Sequence, residues 1–103
     1  MYVDKPWEVL EFEWDEGNSH KSWQKHGVFR KDAEEVFLDP DLTVFPDLKH
    51  SVKEKRLVVV GKNIEGSHLF IVFTIRKRRL RVISARKMHN EEVEKYEKVK
   101  KSS

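Results

Sequence analysis

The chain has 103 residues, enough for one domain with a modest core, and 38% of them are charged. Cysteine is absent, which excludes disulfides, thiolate catalysis and zinc–thiolate sites. The net charge is only +3, but it is unevenly placed: residues 1–16 hold one base and six acids, whereas residues 76–87 hold seven bases and no acid. Separating these segments in the fold would leave one strongly positive face, the kind that attracts phosphate.

In chain order, the N-terminus lacks the apolar run of a signal peptide, and no stretch approaches a membrane span. A soluble, cytoplasmic protein with no membrane partner is expected, forming a single domain over 1–103 with its core at about 9–100. Residues 9–14 alternate, predicting a strand with Leu10, Phe12 and Trp14 inward. Asp15–Asn18 reads as a turn. A short helix is predicted over 19–26, ended by Gly27. A second covers 30–38, with Phe29, Ala33, Val36 and Phe37 as its apolar stripe and Asp39-Pro40 as its stop.

Residues 42–45 suit a short edge strand closed by Pro46. Strands follow at 55–61, 67–76 and 80–86, with a hairpin loop at 63–66. They are too apolar for a bare sheet face. A last helix spans 90–100, with Asn90 as N-cap, glutamates in the first turn and lysines at the end, as the helix dipole favours. Val93 and Tyr96 dock it onto the body. Sequential hairpins imply an antiparallel sheet, so the predicted class is α+β with helices packed on one face.

Most site chemistries find no support. The four glycines are scattered, so there is no phosphate loop, and the five histidines lack a recognised ligand spacing. RNA cleavage by its own 2′-hydroxyl is compatible with these absences, because it requires neither a protein nucleophile nor a metal. It needs a base near the 2′-oxygen, an acid near the 5′-oxygen, and cations around the phosphate. Arg76, Arg79, Arg81 and Arg86 are candidates for the cations, since a guanidinium fork matches two phosphate oxygens. His26, His50 and Glu54 are candidates for proton transfer.

Each has a plain alternative. Lys25-His26-Gly27 also suits a helix end, and His50 lies in a polar loop. Glu54 sits beside Lys55 and Arg56, as in a surface ion pair, and Arg86 is placed to bridge to the last helix. Glu34-Glu35 reads as a solvated helix face.

An ordered set of short motifs is more specific than any of these alone. Phe12-Glu13-Trp14-Asp15, Lys25-His26-Gly27-Val28 and Ala33-Glu34-Glu35-Val36-Phe37-Leu38-Asp39-Pro40 come first. His50-Ser51, Glu54-Lys55-Arg56, Gly61, Val72-Phe73-Thr74, Val82-Ile83-Ser84-Ala85-Arg86, Glu92 and Tyr96-Glu97 follow. Together they resemble the BrnT family of toxins. Departures from its pattern are Glu16, Ser22 and Met88, none at a charged candidate.

The resemblance implies a RelE-like fold and a ribonuclease toxin of a bacterial type II toxin–antitoxin system, one that inhibits translation by cutting RNA, with or without the ribosome. It implies no cofactor, and a BrnA-like ribbon-helix-helix antitoxin as partner in a hetero-oligomer. By motif match, Lys25, His26, Glu54, Arg56, Arg76 and Arg86 form the functional set. The basic turn, Lys77, Arg78 and Arg79 with Arg81, is then a candidate RNA-binding element or a grip for an acidic antitoxin segment. The other reading is a non-catalytic RNA-binding or antitoxin-docking module built on the same hairpin.

Overall fold

A computed structural model describes residues 11–15, 18, 27–47, 49 and 55–102. The predicted helix at 19–26 and the candidates Lys25, His26, His50 and Glu54 lie outside the described residues, as does Leu10. Among the described residues, five strands and two helices are present: β1 (Glu11–Glu13), α1 (Arg30–Val36), β2 (Thr43–Pro46), β3 (Leu57–Lys62), β4 (His68–Arg76), β5 (Arg79–Lys87) and α2 (Asn90–Ser102). They form one sheet, in the order β1-β5-β4-β3-β2.

The meander β2–β5 is antiparallel, as the short connections require. The sheet is nevertheless mixed, because β1 pairs in parallel with β5, Phe12 opposite Leu80 and Glu13 opposite Arg81. Hairpin logic covers only consecutive strands, and β1 is placed by contacts with distant residues. Phe12 packs edge-on to Phe37, and the buried Asn18 amide donates to the carbonyls of Glu13 (2.8 Å) and Val82 (3.0 Å), stitching β1 to β5.

A second correction concerns the layers. Alternation along the strands sends Val59, Ile71, Phe73, Leu80 and Val82 into one core with Val28, Ala33, Val36 and Phe37. Val58, Val60 and Val72 enter a second core with Met88 and Tyr96. The two helices therefore cover opposite faces of the sheet. This explains why β3 and β4 are apolar on both sides.

On the α1 face, Phe37 meets Phe73 edge-on at 5.2 Å. Phe29 is exposed, contrary to the predicted stripe, and Val28 is buried instead. Phe29 is the N-cap residue of α1, and the Asp32 carboxylate accepts its N–H at 2.9 Å. Asp32 also accepts from Asn63 at 3.1 Å, which ties the helix to the β3–β4 turn. Glu34 and Glu35 do more than solvate the helix. Glu34 accepts from the Trp14 indole (2.7 Å) and Glu35 from the Ile64 N–H (3.0 Å).

Asp39 links the two faces. Its carboxylate accepts from the backbone of Asp41 and Lys62 and, at 2.5 Å, from the Tyr96 hydroxyl on α2. Gly61 allows this approach, since a Cβ there would lie 3.0 Å from the Asp39 carboxylate and 3.2 Å from Val36. Burial pushes the Asp39 carboxyl up, but the three donated hydrogen bonds outweigh it and leave it below the usual range. Burial, reinforced by the Asp39 hydrogen bond, pushes the Tyr96 phenol up.

α2 begins one residue differently from the prediction. The carbonyl of His89 accepts from the N–H groups of Glu92 and Val93, so His89 is the N-cap and Asn90 the first helical residue. Glu92 reaches back to the His89 N–H at 2.7 Å, half of a capping box.

Candidate nucleic-acid interface

The β4–β5 hairpin turns through Lys77 and Arg78, with Arg76 opposite Arg79. Both turn residues have positive φ, 48° and 65°, the pattern of a type I′ turn. Asn-Gly is the usual choice there, because a side chain in this conformation is strained. Here two long cations occupy the strained positions, and Arg76 to Arg79 are all exposed.

Beyond the turn, the register decides which arginines share a face. Val72 pairs with Ser84 but Phe73 pairs with Val82, leaving Ile83 as the extra residue of a β-bulge. Arg81 and Arg86 are five apart, which would place them on opposite faces of a regular strand. The bulge restores them to one face, opposite Thr74 and Phe70 respectively. Arg76 and Arg79 lie on the same side, the one that α2 covers only in part. Four strand residues separate the rows of Arg81 and Arg86, about 13 Å at ordinary strand rise.

The two ends of this row differ. At the turn end, the described part of the acidic N-terminal segment, residues 11–15, is not separated from the hairpin but lies against it. Arg81 is only 15% exposed, with Glu13 at 2.8 Å and Asp15 in a two-pronged pair at 2.7 and 3.1 Å. The Asp15 hydrogen bond leads a group of contacts that raise the Arg81 pKa and keep it charged. Glu13 also lies 3.5 Å from Arg76. The fork of Arg81, a candidate for holding RNA, is thus occupied by Glu13 and Asp15 and anchors β1 to β5. Arg79, Lys77 and Arg78 carry the outward charge.

At the other end, Arg86 is held on three sides. Its guanidinium lies over the Phe70 ring, 3.9 Å from the centroid. Its two terminal nitrogens donate to Glu92 at 2.8 and 2.9 Å, and one of them also donates to the Lys87 carbonyl at 3.0 Å. The Arg86 hydrogen bond, helped by the His89 N–H, holds the Glu92 carboxyl below its usual range against the opposing effect of burial. Arg86 remains about one-third exposed. Its predicted bridge to the last helix is thus present, and the guanidinium is oriented on a surface.

Arg56 immediately precedes β3, half-buried, its carbonyl accepting from the Asp47 N–H at 2.9 Å. Next to it, the Lys55 carbonyl accepts from the buried Thr74 hydroxyl at 2.7 Å. The structure therefore brings Arg76, Arg79, Arg81 and Arg86 to one face. Three residues that sequence reasoning did not connect to the site shape it: Glu13 and Asp15 on β1 and its exit, and Phe70 beneath Arg86. Only the strand pairing identifies them. Among the described residues, no group of three His, Cys, Asp or Glu side chains is placed to hold a metal, and no helix is long and apolar enough to cross a membrane.

The fold and this face define a small α+β domain that offers fixed guanidinium groups on a partly open sheet. Residues 14–92 match the family model described as ribonuclease toxin, BrnT, of type II toxin–antitoxin system. The match spans most of the chain, and the protein belongs to this family of ribonuclease toxins. RNA is accordingly its class of substrate and a protein antitoxin its class of partner. No individual curated protein matches the sequence.

Proposed function

We infer that this protein is a metal-independent endoribonuclease that inhibits translation by cutting RNA, on or off the ribosome, in the cytoplasm. The proposed architecture is RelE-like, and the proposed partner is a BrnA-like ribbon-helix-helix antitoxin that neutralises it in a hetero-oligomer. The observation that carries this reading is Arg86, clamped by Glu92 and Phe70 on the sheet face that also bears Arg76 and Arg79. A guanidinium fixed before substrate arrives stabilises developing charge on a phosphate without reorganising.

In the proposed reaction the 2′-oxygen attacks the adjacent phosphorus as a base removes its proton. The bond from phosphorus to the 5′-oxygen breaks, and an acid protonates the departing oxygen. The products are a 2′,3′-cyclic phosphate and a free 5′-hydroxyl. Arg86 faces the phosphate, while Arg76, whose row is six strand positions away, about 20 Å at ordinary strand rise, faces the flanking strand. His26, His50 and Glu54 supply the acid and base, and Lys25 and Arg56 add positive charge. Arg79, Lys77 and Arg78 hold the flanking strand.

The experiment is to incubate the purified toxin with RNA in chelator and map the ends. Cyclic-phosphate termini formed by the wild type and lost in Arg86→Ala support the reading. Activity that requires added metal, or full activity in Arg86→Ala, overturns it. A second reading is favoured by the occupied fork of Arg86: a non-catalytic module that binds RNA or docks the antitoxin through the hairpin. It predicts binding that weakens steeply with salt and no cleavage product.

A further inference from the structure

Beside Arg86 lies a groove of about 350 Å³ between α2 and the β2–β3 edge of the sheet. Its floor is Val60 and Phe70, one wall is Phe45 and the other is Val99. Phe45 is 40% exposed and Val99 57%, although both are large apolar residues beside a cavity they do not fill. The Phe45 and Phe70 rings meet edge-on at 66° with centroids 6.4 Å apart, so Phe45 stands as an aromatic wall at the edge of the Phe70 floor. Glu92 and Lys95 also line it, one an acceptor and the other a donor.

We propose that this groove is a nucleobase-binding subsite, which seats one base of the RNA strand while Arg86 faces the phosphate attached to it. The proposal rests on the reading of Arg86 given above, and three observations support it. First, the volume is at the small end of the range for small-molecule sites, suited to a nucleotide. Second, the groove and the arginine share Phe70, which carries Arg86 over its ring and also lines the cavity. Phosphate and base sites are thus adjacent, as they are along a strand. Third, the lining combines an aromatic wall, Phe45, and an aromatic floor residue, Phe70, with one acceptor and one donor. Single-stranded RNA is read in this way, by stacking on aromatic rings and by hydrogen bonds to base edges. Glu92 would then have two duties, holding Arg86 and bordering the base.

The test uses the full chain and a single-stranded nonanucleotide with 2′-O-methyl riboses, which resists cleavage, alongside the same backbone carrying abasic sugars throughout. Fluorescence anisotropy gives the affinity for each. The wild type should prefer the base-bearing strand. Phe45→Ala should reduce that affinity about tenfold and leave the abasic strand unchanged. Val99→Glu tests the same groove from the helix side, at an exposed position that tolerates the change. Cut ends mapped on a mixed-sequence RNA should lose base preference in both variants. If both variants keep the wild-type preference for bases, or lose only antitoxin binding, the subsite is overturned. The two readings fail separately. A wild type that cuts RNA while Phe45→Ala and Val99→Glu change nothing sinks the subsite alone. A wild type that never cuts but loses its base preference in those variants sinks the cleavage reading alone.

Discussion

The two faces of the sheet are built from the same strands and have reached different ends. On the α1 side, Phe12, Phe37 and Phe73 interlock, and Val59, Ile71, Phe73 and Val82 have no exposure. On the α2 side, the helix covers only part of the sheet, and Phe45, Arg76, Arg79 and Arg86 remain in reach of solvent. The closed face supplies stability, and the partly open one spends apolar surface and strained backbone on holding cations. Arg86 shows the distinction most clearly, since Glu92 and Phe70 orient it on a surface where it stays about one-third exposed.

Substitutions can break this comparison. The largest effect is expected on the closed face. Phe73→Ala should cost about 3–5 kcal/mol of unfolding free energy in denaturant titrations. Because that approaches the whole stability of a small domain, the variant should be largely unfolded at 37 °C. On the open face, Arg86→Ala should lower the rate of RNA cleavage by about 10²–10³-fold, or 2.7–4 kcal/mol of transition-state stabilisation. Its fold should survive, as seen by circular dichroism. A comparable loss of stability in Arg86→Ala would erase the proposed division of labour.

Tyr96→Phe comes next, since it removes a hydrogen bond to a carboxylate that joins the two faces. The expected cost is about 1.5–3 kcal/mol. The pH dependence has a definite sign. The folded Asp39 pKa is lowered, so its stabilisation is present above the unfolded value and is lost as pH falls through the folded one. Tyr96→Phe should therefore move the acid unfolding midpoint upward. At the alkaline end the raised Tyr96 pKa means that stability falls as pH rises past the ordinary tyrosine range, and the Phe variant should lack that fall.

The smallest effect on stability is expected at the turn. Replacing Lys77-Arg78 by Asn-Gly should stabilise the hairpin by about 1 kcal/mol, because that pair suits positive φ. The same variant should weaken single-stranded RNA binding and reduce its log–log salt slope by about 1.4, the contribution of two phosphate contacts. An unchanged slope would show that the turn does not touch the strand.

Much of the fold was legible. The strands at Leu57–Lys62, His68–Arg76 and Arg79–Lys87 follow from β-branched runs and turn residues, which act over a few positions. The edge strand before Pro46 and the last helix follow likewise. The layer arrangement was less legible. An apolar run such as Val58-Val59-Val60 says that both faces are covered, but not by which helix. For the candidate site, the arginines were visible as charge, but their partners were not. Glu13 and Arg81 are 68 residues apart and meet only because β1 lies parallel beside β5.

By itself, the sequence determined the local matters: where strands and the last helix run, the basic turn, the absence of thiol chemistry, and the ordered motifs of a BrnT toxin. These depend on neighbouring residues or on residue identity alone. Tertiary structure decided which charges act outward. The bulge at Ile83 set Arg81 and Arg86 on one face, and the pairing of β1 neutralised the first of them. Packing against α2 fixed the second over Phe70. A side chain's face depends on register, and register is set by partners far away in the chain.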